Sequence, residues 1–96
     1  MADTSNLSVR VRIYGRVQGV WFRAWTKREA DARSLDGWVR NRSDGSVEAL
    51  FSGEASVVRA MVASCRVGPP NARVERIEDT LETERPQPGF AQRPTW

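Results

Sequence analysis

The sequence predicts an α+β domain in which two helices lie on one face of an antiparallel sheet. Three observations predict it: an apolar run of period two near the start, two stretches with apolar residues at helical spacing, and short β-branched or aromatic segments punctuated by Gly, Asp and Pro. At 96 residues the chain is read as one domain, 1–96. A chain this small removes about 60 to 65% of its unfolded surface from water, so its core has to be compact.

From Leu7 to Tyr14 the apolar residues Leu7, Val9, Val11 and Ile13 alternate with Ser8, Arg10, Arg12 and Tyr14, which makes a strand with one buried face. A glycine-containing segment follows. Phe22 to Ser34 contains no Gly or Pro and places Phe22, Trp25, Thr26 and Ala30 on one helical face, a stripe that weakens at Arg33. "LDGWVRN" (35–41) and "SVEALFSG" (46–53) read as a hairpin about "RSDG", a turn whose Asp and Gly tolerate positive φ. The second helix, Glu54 to Cys65, carries Val57, Val58, Met61, Val62 and Cys65 at helical intervals, and "VGPPN" stops it. "ARVERIEDTL" is a fourth strand whose Val74 and Ile77 are three apart, which predicts a bulge or an edge position. "ERPQPG" is a loop, and "FAQRPTW" is at most a short last strand because Pro94 lacks a ladder donor. Residues 1–6 and about 80–89 are expected to be flexible. The order β-α-β-β-α-β, with both helices needing a surface to cover, is a ferredoxin-like sandwich.

Composition removes several chemistries. With His 0 and Cys 1, the chain has no imidazole base, no Ser-His or Cys-His nucleophile, and no thiolate or imidazole metal site. An enzyme built this way acts by positioning and charge. The net charge of +3, all but Lys27 of its cations being arginine, favours anionic ligands but is too small to mark a nucleic-acid face. "MADTSN" lacks the basic and apolar parts of a secretory signal, and Arg59 interrupts "VVRAMVASC", so a cytoplasmic protein without membrane contact is expected. Cys65 has no cysteine to pair with, in keeping with a reducing compartment, and on its apolar stripe it reads as a small buried hydrophobe.

"GRVQGVWFR" (15–23) carries the strongest functional signal. A glycine-rich turn leading from strand to helix exposes successive amides, and the helix start adds four that have no intrahelical partner. The helix dipole adds about half a positive charge there, a place where acids are normally preferred. Arg23 sits there instead, and a bound dianion is the condition that reconciles it, its guanidinium fork matching phosphate oxygens. The plainer reading is a simple strand–helix connection with a solvated arginine.

"GRVQGVWFR", followed by "GWVRNRSDGSVEALFSG" (37–53) and "GPPNARVERIE", resembles the signature segments of the acylphosphatase family over roughly residues 7 to 79. The resemblance implies hydrolysis of the carboxyl–phosphate bond of a small-molecule acyl phosphate, with no metal or cofactor and no covalent intermediate. It implies that Arg16, Val17, Gln18, Gly19, Val20, Trp21 and Phe22 form the loop whose amides hold the phosphoryl group, Gly15 and Gly19 letting it curl. Arg23 would clamp the phosphoryl oxygens and Asn41 would orient the attacking water. Taken alone, an Asn before a hairpin turn is ordinary turn chemistry. Trp21, Trp25 and Trp38 read as core or rim residues, Trp21 being the one able to meet the acyl portion.

A phosphate-binding module without turnover is the alternative reading. RNA recognition would need aromatics in a defined run on the central strands, and that run is missing. A monomer is the default for so small a chain. Where family members commonly show leucine and then glycine near the end of the first helix, this chain has Arg33 and Ser34, which should weaken that helix end by about 1 kcal/mol or more.

Overall fold

A computed structural model describes residues 5–83 and 85–96. The chain forms β1 (Asn6–Arg16), α1 (Phe22–Ala32), β2 (Asp36–Asn41), β3 (Val47–Glu54), α2 (Ala55–Cys65), β4 (Arg73–Leu81) and β5 (Phe90–Gln92). The strands make one five-stranded sheet in the order β4-β1-β3-β2-β5. This is the ferredoxin-like arrangement with one strand added at an edge. Of the segments expected to be flexible, residues 1–4 and 84 lie outside the described residues, while Asn6 pairs with Glu54 and Thr80 with Arg10.

The expectation of a purely antiparallel sheet is corrected by β5, which runs parallel to β2. Its direction follows from where the chain stands after β4. The end of β4 pairs near the start of β1, at the sheet edge where β2 also begins. A chain turning back from that edge and crossing to the far side has to run along β2 in the same sense.

One face of the sheet carries the core. Val9, Val11 and Ile13 of β1, Val39 of β2, and Val47, Ala49 and Phe51 of β3 are buried there beneath the helices. From α2 come Val58, Met61, Val62 and Cys65, and from α1 Phe22 and Ala30. Burial pushes the Cys65 thiol up to about 12, with Arg33 opposing, so it stays a neutral hydrophobe.

Period two alone does not describe β3. Glu48, Leu50 and Ser52 face away from the helices yet are buried as well. Arginine side chains laid across the open face converge on Glu48. Glu48 accepts from Arg40 Nε at 2.8 Å and Arg42 Nη1 at 3.1 Å, and the Ser8 and Ser52 hydroxyls meet at 2.7 Å. Trp38 also turns to this face. The Arg40 guanidinium stands 4.6 Å from the Trp38 ring and 5.3 Å from that of Trp96, and Arg93 stands 5.0 Å from Trp38, a cation–π stack that lays residues 93–96 against β2.

Both readings of the fourth strand hold. β4 is an edge strand, and its register with β1 slips between Tyr14 and Gly15, leaving Glu75 without a partner. The extra residue brings Val74 and Ile77, three apart, to the core side. Among the described residues no helix is long and apolar enough to cross a membrane.

Candidate active site

The loop from Val17 to Trp21 is fixed by its apolar residues. Val17 and Val20 are buried, pinning the loop at two points, while Gly19 takes φ 73 at its exposed turn. The glycine at the loop's entrance is constrained differently. Gly15 has φ 125, and a Cβ there would lie 2.2 Å from the Arg73 carbonyl oxygen, so β4 can approach only a glycine at this point.

Trp21 is the N-cap of α1 and adopts the left-handed conformation, φ 65 and ψ 24, with its indole 81% exposed. Such a backbone is uncommon for a bulky residue and stores strain. It turns the chain sharply enough for Phe22 to enter the core, where its ring meets Trp25 edge-on at 5.4 Å. The first helical bond is donated by Trp25 N to Trp21 O at 2.9 Å, so the amides of Trp21, Phe22, Arg23 and Ala24 have no helical acceptor. No acidic residue stands in that turn, and no side chain caps it.

Arg23 is the second residue of the helix. Its Nη1 donates to the Arg93 carbonyl at 3.4 Å, and among the described residues no carboxylate pairs with it. Asn41 ends β2 opposite Val47. Its carbonyl accepts from Trp96 N at 3.0 Å, and its carboxamide makes no hydrogen bond among the described residues. An open cavity of about 430 Å³ joins these groups, bordered by Gln18, Gly19, Phe22, Arg23, Asn41 and Gln92. Val17, Trp21 and Ala24 complete its wall, so nothing on the lining carries a negative charge. The helix N-terminus and Arg23 leave it electropositive.

Of the residues expected from sequence, Val17, Gln18, Gly19, Trp21, Phe22, Arg23 and Asn41 border this cavity, and two do not. Arg16 ends β1, is exposed, and is held in the ladder opposite Arg73. Val20 turns its side chain into the core. The cavity also takes in Ala24 and Gln92, which sequence reasoning missed. Gln92 had no signal, since it arrives through the parallel pairing of β5.

The Gln18 side chain has a second part that the loop pattern does not signal. Its Nε2 donates to the Arg42 carbonyl at 2.8 Å and the Ser46 carbonyl at 2.9 Å, tying the loop to the turn that follows Asn41. That turn is itself braced. Asp44 accepts from the Ser46 hydroxyl at 2.6 Å and amide at 2.9 Å, and Arg12 reaches it at 2.9 Å. The Ser46 bonds, with Arg12 beside them, hold the Asp44 carboxyl down to about 2. Among the described residues no group of three or more His, Cys, Asp or Glu could hold a metal ion.

The acylphosphatase family model matches residues 9–92. The acylphosphatase of Rhodospirillum rubrum is 54% identical over 85 residues, covering 88% of this chain and 93% of that protein. Among solved structures, an acylphosphatase from Coxiella burnetii superposes with a TM-score of 0.88 at 31% identity over 92% of this chain and 93% of that one. The Bacillus subtilis acylphosphatase gives 0.85 at 38% identity, with 90% and 97% covered. A family model spanning most of the chain, together with relatives matched over nearly their full length, shows that the chain belongs to the acylphosphatase family.

Proposed function

We infer that this chain hydrolyses the carboxyl–phosphate bond of acyl phosphates, and that Arg23 and Asn41 carry the chemistry. The loop amides from Val17 to Phe22 and the Arg23 guanidinium bind the three phosphoryl oxygens. Asn41 holds a water in line with the bond to be broken. The water oxygen bonds to phosphorus as the bond to the acyl oxygen breaks, the electron pair leaves on the carboxylate, and the water proton ends on the phosphate. The products are a carboxylate and inorganic phosphate. A carboxylate leaves without a general acid, since its conjugate acid has a pKa of about 4. What is left for the protein is charge stabilisation and alignment, the two demands of phosphoryl transfer that backbone donors, an arginine and an amide can meet.

The observation that carries this reading is the convergence on one acid-free cavity of helix amides without helical acceptors, an arginine without a carboxylate partner, and an uncommitted carboxamide. All of them come from a single chain, which supports a monomer as the working unit. The lone buried Cys65 fits action in the cytoplasm. The test is phosphate release from acetyl phosphate with and without a strong chelator. Turnover unchanged by the chelator is expected; a folded protein that releases no phosphate overturns the reading, and turnover abolished by chelator overturns its metal-free form.

A further inference from the structure

We propose that the groove beside the phosphate cavity, between the first turn of α1 and the α2–β4 connection, is the binding subsite for the acyl group, and that it selects acyl phosphates with an aromatic or bulky apolar acyl portion. This rests on the hydrolytic reading above. The groove measures about 270 Å³ and is walled by Trp21, Ala24, Trp25, Arg28, Pro69 and Pro70. The α1 residues stand at positions i, i+3, i+4 and i+7, one face of the helix. Pro69 is buried, and the connection is pressed on the helix: a Cβ on Gly68 would come within 2.7 Å of the Phe22 ring. The far wall is therefore as fixed as the near one.

Two features assign the occupant. The groove adjoins the phosphate cavity, Trp21 and Ala24 standing in the walls of both. Its position also meets the stereochemical demand of the reaction. At this edge of the sheet β1, β2 and β5 all end and β4 begins, so the order across it is residues 69–70, the α1 entrance, Asn41 and then Gln92. In-line displacement puts the attacking water and the departing oxygen on opposite sides of phosphorus. Water held by Asn41 comes from the β2 side, which sends the carboxylate toward the prolines. An acyl group leaving along that line meets two indoles and two pyrrolidine rings. An aromatic ring gains from that burial, and a methyl group is too short to reach it.

The strain at Trp21 gains a purpose here. A left-handed N-cap keeps an 81% exposed indole standing at the junction of the two spaces, where a helical backbone would turn it elsewhere.

The experiment compares kcat/KM for benzoyl phosphate and acetyl phosphate in the unmodified protein, Trp21→Ala and Pro70→Asp. The benzoyl-to-acetyl ratio is the readout, because each substrate's intrinsic reactivity cancels when variants are compared. The ratio is expected to fall about tenfold in Trp21→Ala, the loss of one wall of an apolar pocket. Pro70→Asp, in an exposed loop that does not line the phosphate cavity itself, should lower it about threefold by placing a charge in the groove. An unchanged ratio in both variants overturns the subsite, as does an equal loss on both substrates, which would mean that Trp21 serves the cradle alone. Failure of the unmodified protein to hydrolyse either substrate would overturn the hydrolytic reading itself, and the subsite with it.

Discussion

The two ends of α1 solve the same backbone problem for different purposes. Each is bounded by a residue other than glycine in the left-handed region, Trp21 at φ 65 and Ser34 at φ 56. At the carboxyl end the helix closes on itself. Ser34 N donates to Asp31 O at 3.0 Å and Leu35 N to Ala30 O at 3.0 Å, a Schellman pair that satisfies the last carbonyls. At the amino end the corresponding groups are left open: there is no capping side chain and no acid in the first turn, and a cation stands among unused donors. One end uses its left-handed residue to close the chain, while the other leaves its donors without a cap. Incomplete satisfaction at a rigid helix entrance is what marks this site.

The contrast breaks most readily at Arg23. Arg23→Ala should lower kcat/KM for an acyl phosphate by at least about a thousandfold and weaken competitive inhibition by inorganic phosphate in parallel. If phosphate inhibits the variant as well as it does the unmodified protein, the amides alone are the cradle. Asn41→Ala should reduce kcat by about a hundredfold with phosphate inhibition nearly unaltered, as the proposed role of its amide on water and not on the phosphoryl group requires. A full rate in that variant would remove its role. Gln18→Ala unties the loop from the hairpin and should cost about tenfold in kcat; added to Asn41→Ala it should cost little more, since nothing remains to be aligned. Independent, multiplying losses would make Gln18 a stabilising residue only.

The smallest effect belongs to the other helix end. Ser34→Gly relieves a left-handed serine on an exposed surface and should raise the unfolding free energy by about 1 kcal/mol in urea titration, with kcat unchanged. A matching change in activity would show that the two ends are coupled through the helix.

What the sequence disclosed is what depends on neighbours in sequence. The alternation of β1, the stripe of α2, the "RSDG" turn and the glycine loop before Arg23 all have short-range signatures. The elements it hid depend on partners far along the chain. Phe90–Gln92 pairs with residues 37–39, and nothing in "FAQ" announces a parallel neighbour. Gln18 bonds to two backbone carbonyls, acceptors that any residues at 42 and 46 would supply. Arg16 and Val20 lie within the loop pattern, but strand register and core packing turn them from the cavity. A motif states which residues travel together; which of them face the ligand is decided by the pleat and the core.

The parallel docking of β5 has a consequence in time. Gln92 walls the cavity, the Arg93 carbonyl receives Arg23, and Trp96 bonds the backbone of Asn41. The contacts of residues 93 and 96 join positions 55 to 70 apart, the kind that loop-closure entropy delays. During synthesis, a ribosome-bound chain that already has both helices and four strands still lacks the wall that steadies its arginine and its amide. A chain cut before Phe90 is expected to keep both helices and four strands yet to lose turnover of an acyl phosphate, and full turnover in it would free the site from β5.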